Sequence, residues 1–110
     1  MRTSATAHRL PFEAEDALRS LADRVRTVRK ARGLTQPDLA SKAGISTNTL
    51  VTMERGGGSV QLGYWLKVLW ALDLLGSFAD AVARLGREEG DVALLESQLP
   101  QRVRGSGSAR

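Results

Sequence analysis

Apolar residues return every three or four positions along much of this chain, and the returns break at glycines. Leu18, Leu21, Val25 and Val28 form the first stripe, the spacing of a helix with one buried face. It predicts helix 1 over about residues 13–31. Glu13, Glu15 and Asp16 lie at its amino end and Arg29, Lys30 and Arg32 at its carboxyl end, both favourable to the helix dipole. Gly33 stops it. Thr35 is a capping residue and Pro37 suits a first turn, so helix 2 is placed at about 36–43. Ser46 caps helix 3, at about 47–55, and Gly56, Gly57 and Gly58 open a loop. Helix 4, about 62–72, has a broad apolar surface from Trp65, Leu66, Leu69, Trp70 and Leu72. Both Trp residues are assigned to the core, although Trp65 also suits an interface. Gly76 and Ser77 mark a break before helix 5 at about 78–85, with Phe78, Val82 and Leu85 on one side. A charged link at 87–90 follows. Asp91 then caps a short helix over 91–99 that sets Val92, Leu95 and Leu99 on one face and stops at Pro100. Residues 101–110 are a basic, Gly/Ser-rich tail that cannot pack a core. The prediction is all-α: a flexible arm (1–11), a five-helix domain (12–86), and a short C-terminal helical extension with its tail (87–110). There are no internal repeats.

The run from Gln36 to Glu54 carries the most information. Leu39 and Ala40, then Ala43, Gly44 and Ile45, then Leu50 and Met53 put small or apolar residues wherever two crossing helices touch. Ala40 leaves room for a close crossing. Gly44 can take the positive φ of a tight turn. Ile45, Leu50 and Met53 pin the second helix to the core. A helix so held has its opposite face free to enter a DNA major groove.

Charge strengthens that reading. The 110 residues include 16 Lys/Arg against 12 Asp/Glu, a net charge of +4. Residues 1–34 hold eight basic and four acidic residues, whereas 35–86 and 87–110 each balance at four and four. The whole excess therefore lies in the arm and helix 1. A solvated helix face would explain it, but beside a helix-turn-helix phosphate contact is the better explanation. The length suits one small domain with arms, whose modest core dimerisation would help.

Catalysis finds little support. There is no Cys, the one His is His8 in the arm, and the acids are scattered without metal-ligand spacing. Gly56-Gly57-Gly58 lacks the Lys-Ser/Thr of a phosphate-binding loop. The expectation is no enzyme, no cofactor and no metal. The lack of Cys fits a reducing cytoplasm. No apolar run approaches the about 20 residues of a membrane span. No apolar signal core lies between Arg2, Arg9 and Phe12, so a cytoplasmic protein without a membrane partner is expected.

Arg29–Gly33, Leu34-Thr35-Gln36, Leu39-Ala40, Ala43-Gly44-Ile45, Leu50 and Glu54-Arg55-Gly56 together resemble the lambda-repressor/Cro-like (Xre-type) DNA-binding domain, over about residues 18–85. The resemblance implies a five-helix fold with helix 3 in the major groove. It implies that Gln36 contacts phosphate and braces helix 3. Thr47, Asn48 and Thr49 then occupy the base-reading start of helix 3, behind Ser46. Thr52 lies one turn on, and Arg55 leaves towards the backbone. Arg29 and Glu54 match a structural ion pair. The candidate DNA-contacting set is therefore Gln36, Ser46, Thr47, Asn48, Thr49, Thr52 and Arg55. Asn48 is the best base reader, because an amide bonds adenine bidentately. Thr47 and Thr52 suit thymine methyls or a phosphate, and Val51 adds an apolar contact. No Arg or Lys lies between Ile45 and Glu54, a departure from many relatives that points to A/T-containing half-sites or to readout of DNA shape. A homodimer on a two-fold operator in double-stranded DNA is expected, with helix 5 and residues 91–99 as its surface.

A narrower resemblance lies in Leu62–Leu75 and in Leu99-Pro100-Gln101-Arg102-Val103-Arg104. These are similar to HipB-like antitoxins, the Xre-type regulators that accompany HipA-like kinase toxins. It implies an autorepressor that binds a kinase partner. The alternatives are a stand-alone Xre-type repressor and a protein–protein adaptor that retains the fold. An adaptor would bind DNA weakly and without sequence preference. An antitoxin would co-purify with a larger partner encoded next door.

Overall fold

The computed structural model describes residues 9–99, which form six α-helices and, among the described residues, no strand. The chain divides between Gly76 and Ser77 into two compact units. The first eight residues of the arm, with His8, and the basic tail beyond Leu99 lie outside the described residues.

The first unit holds the core. Helix α1 (Phe12–Ala31) buries Ala22, Val25 and Arg29, while Leu18, Leu21 and Val28 are half-buried on the same stripe. Its end is closed by Gly33 at φ 71°, whose N–H donates to Lys30 O while that of Leu34 donates to Arg29 O. Helix α2 (Gln36–Ala43) opens with a reciprocal cap. Asp38 N–H donates to Thr35 Oγ1 at 3.1 Å and Thr35 N–H donates to Asp38 Oδ2 at 3.0 Å. Helix α3 (Thr47–Glu54) buries Leu50, Met53 and Glu54. Helix α4 (Leu62–Ala71) buries Trp65, Val68, Leu69 and Ala71. Helix α2 packs against α3 and α4, and α1 packs against α3. Val25, Leu39, Leu50, Met53, Val68 and Leu72 are fully buried where these helices meet. Each such side chain contributes about 1.5–3 kcal/mol by leaving water.

Helix α4 departs from its predicted face. Trp65 is in the core, but Trp70 and Leu62 are both 61% exposed. An apolar surface this broad exceeds what the neighbouring helices can cover.

Helix α5 (Leu75–Ala83) also differs from expectation. The break falls before Leu75, and Gly76 and Ser77 lie inside the helix. Asp73 takes the left-handed conformation at φ 59°, which a short polar side chain tolerates. Its N–H donates to Trp70 O, and that of Leu74 donates to Leu69 O, so α4 is already closed there.

Helix α6 (Asp91–Gln98) begins with Asp91 as its first residue. Gly90, at φ 86°, is the cap, and no side chain bonds to that end. Neither α5 nor α6 contains a buried residue. Phe78 and Val92 are half-buried, while Val82, Leu85, Leu94, Leu95 and Leu99 are exposed. No helix among the described residues is long and apolar enough to cross a membrane.

Candidate nucleic-acid interface

The turn between α2 and α3 is built by Gly44, whose φ of 75° is left-handed. The N–H of Ile45 donates back to Ala40 O at 3.0 Å, and Leu39, Ala40 and Ala43 are buried beneath the crossing. Ile45 itself is half-buried. Ser46 then starts α3: its Oγ accepts from Thr49 N–H at 3.0 Å and donates to Thr49 Oγ1 at 2.8 Å. The hydroxyls of Ser46 and Thr49 thus bond each other at the cap, and Thr49 is half-buried. Thr47, Asn48, Thr52 and Arg55 are exposed. The exposed surface of α3 accordingly presents uncharged hydrogen-bonding side chains, with one guanidinium just past its end.

The far end of α3 is held at Glu54. Arg29 Nε donates to Glu54 Oε2 at 2.7 Å and Arg29 Nη2 donates to Oε1 at 3.0 Å. This bidentate pair is almost fully withdrawn from water, with side-chain exposures of 8% and 3%. Gln36 Nε2 donates to Glu54 Oε1 at 3.0 Å, so the first residue of α2 grips the last residue of α3. Arg26 Nη1 adds a bond to the Glu54 carbonyl at 2.7 Å. A buried charge needs this completeness, because an unmet one costs several kcal/mol (about 3–5).

Arg26 and Arg32 belong to the basic excess of residues 1–34, which the sequence as a whole points towards phosphate, but both are tied to the protein's own backbone. Arg32 Nη1 donates to Leu72 O at the end of α4, and Arg29 Nη1 reaches Leu34 O at 2.8 Å. Arginines at positions 26, 29 and 32 recur at the three-residue spacing of one helix side, beside the apolar stripe; that spacing was the available signal. Part of the basic excess of residues 1–34 therefore ties helices together. Hydrogen bonds from the Thr35 backbone, then its side chain, hold the Asp38 carboxyl below its ordinary 3.8.

The loop after α3 lines a cavity of about 290 Å³, to which Arg9, Glu15 and Arg19 contribute with Gly56, Gly58 and Ser59. The cavity thus places Arg9, Glu15 and Arg19 beside the loop that follows α3.

A family model described as a helix-turn-helix domain matches residues 20–89, more than half of the chain. The chain belongs to the helix-turn-helix domain family. That membership makes it a DNA-binding regulator, and the match takes in α1 through α5 apart from the first residues of α1. No curated protein and no solved structure matches the chain.

Proposed function

We propose that this helix-turn-helix protein is a sequence-specific autorepressor of the Xre type, which reads a two-fold operator as a cytoplasmic homodimer. One observation carries the reading: α3 is clamped at Glu54 by three side chains from α1 and α2, while Thr47, Asn48 and Thr52 remain exposed. A rigid helix with an open polar face is what base readout needs. Asn48 is assigned to adenine, and Thr47 and Thr52 to neighbouring bases or phosphate. Gln36 and Arg55 at the two ends of the motif, with Arg9 and Arg19 beside the following loop, supply backbone contacts. The dimer is assigned to α5, α6 and the residues just past each, because Val82, Leu85, Leu94, Leu95 and Leu99 are exposed apolar side chains that favour association.

Fluorescence anisotropy on the DNA upstream of the protein's own gene, against scrambled DNA over a salt series, tests this. A clear preference at physiological salt is expected. Equal, steeply salt-dependent binding to both would overturn it and favour the adaptor reading.

A second reading, antitoxin of a HipA-like kinase, is supported by the resemblance in residues 62–75 and 99–104 and by the exposed Trp70 on α4, since aromatic anchors favour interfaces. Co-expression with the neighbouring gene would test it, and a larger partner retained through purification is the expected result.

A further inference from the structure

The carboxyl end of α3 turns back on itself. Arg55 ends the helix and Gly56 is left-handed at φ 81°. Gly56 N–H donates to Met53 O at 2.9 Å and Gly57 N–H donates to Thr52 O at 3.0 Å. These are the paired bonds of a Schellman ending, in which the second residue past the cap folds over the residue five before it. That pair usually meets through two apolar side chains. Here it is Gly57 over Thr52. A Cβ built on Gly57 would lie 2.6 Å from Thr52 Cγ2 and 3.1 Å from Thr52 O. The methyl of Thr52 thus occupies the space that any side chain at position 57 would need. Gly57 is not among the positive-φ residues, so its backbone does not call for glycine. Close approach to Thr52 does.

We propose that Gly57 is a positioning residue for DNA readout. By lacking a side chain it seats the Thr52 methyl against the loop, fixes that side chain's rotamer and leaves the hydroxyl as the group that meets DNA. The inference rests on the proposal that Thr52 faces the operator. It deepens that proposal by assigning Thr52 to a hydrogen-bonding partner, a base edge or phosphate, in preference to a thymine methyl. A residue touching no DNA would then govern one position of the recognition sequence.

The test is selection from a duplex pool with a randomised core of about two helical turns, using the full chain and its variants T52V, T52S, G57A and G57A/T52S. Folding is checked by circular dichroism. T52V keeps the packed methyl and removes the hydroxyl. It is expected to lower the preference at one position of each half-site by about fivefold or more. G57A is expected to alter the same position while the others stay within about twofold. T52S removes the 2.6 Å methyl contact and leaves the 3.1 Å contact with the carbonyl oxygen of residue 52, so G57A should shift the preferences of T52S less than it shifts those of the wild type. Wild-type preferences in G57A, or an equal shift on the T52S background, would overturn the proposal. If G57A does not fold, a G57A/T52S variant that folds supports the proposal and one that also fails to fold overturns it. Unchanged preferences in both T52V and T52S would instead remove Thr52 from the interface, and this inference with it, leaving the Asn48 assignment standing.

Discussion

Replacing Glu54 with Ala tests whether the frame around α3 rests on its buried ion pair. The substitution removes the acceptor for two Arg29 bonds of 2.7 and 3.0 Å and for the Gln36 amide. Arg29 is left with its bond to the Leu34 carbonyl and a guanidinium almost closed off from water. Leaving one partner of such a pair uncompensated costs about 3–5 kcal/mol, a large part of the about 5–15 kcal/mol that holds a domain together. In a domain this small each kcal/mol moves Tm by about 4–8 °C, so E54A should melt lower by about 12–40 °C. Thermal and urea unfolding by far-UV circular dichroism measure it. The fall should persist in added salt, because buried pairs are weakly screened. R29A/E54A should lose less than the sum of the single variants, since it removes both charges. A Tm within about 3 °C of wild type, or strictly additive losses, would refute the argument.

Asn48→Ala should weaken binding to the selected operator by about 1–3 kcal/mol and relax the sequence preference with Tm unchanged, as read by anisotropy and melting in parallel. Gly44→Ala adds a Cβ with no heavy atom within 4 Å, so its cost is conformational alone, about 1–2 kcal/mol for an L-residue in the left-handed region, measured by urea unfolding. Asp38, held below 3.8 by Thr35, contributes stability that is present above the unfolded value and lost as pH falls through the lower native one; Asp38→Asn should therefore flatten the fall of Tm below about pH 4. Arg32→Ala should lower Tm and leave the salt slope of DNA binding unchanged, while Arg55→Ala should reduce that slope by about one.

The α2–turn–α3 segment was legible because local chemistry marks each boundary. Thr35 and Asp38 cap one helix, Gly44 makes the turn, and Ser46 caps the next. The α4–α5 break was misplaced because Asp73 takes the left-handed position that glycine more often fills, while Gly76 and Ser77 lie inside a helix. Likewise Gly90, not Asp91, precedes α6. Periodicity placed Trp65 and Trp70 on one apolar surface. It could not say that only Trp65 would be covered, since that depends on which helix packs against it. The exposed position of Asn48 and Thr52 followed from the motif. The dependence of Thr52 on Gly57 did not, because it arises from a reverse turn that brings two helix-end residues together in space.

The arginines of α1 set the terms on which DNA binding must work. Arg26, Arg29 and Arg32 each donate to another element of the first unit, so net charge overstates the cations ready for phosphate. The exposed face of α3 adds none before Arg55. Counterion release scales with the phosphates neutralised, so non-specific affinity should be modest for so basic a chain, and under the proposed function sequence preference would come from the uncharged side chains that α3 exposes. Their placement depends on Glu54 at the end of the helix and Gly57 just beyond it. Damage to either would look like a DNA-binding defect although neither is assigned a contact with DNA. The two are separable by what else changes: the Glu54 clamp fails together with Tm, whereas a misplaced Thr52 alters one position of the preferred sequence and leaves the remaining positions intact.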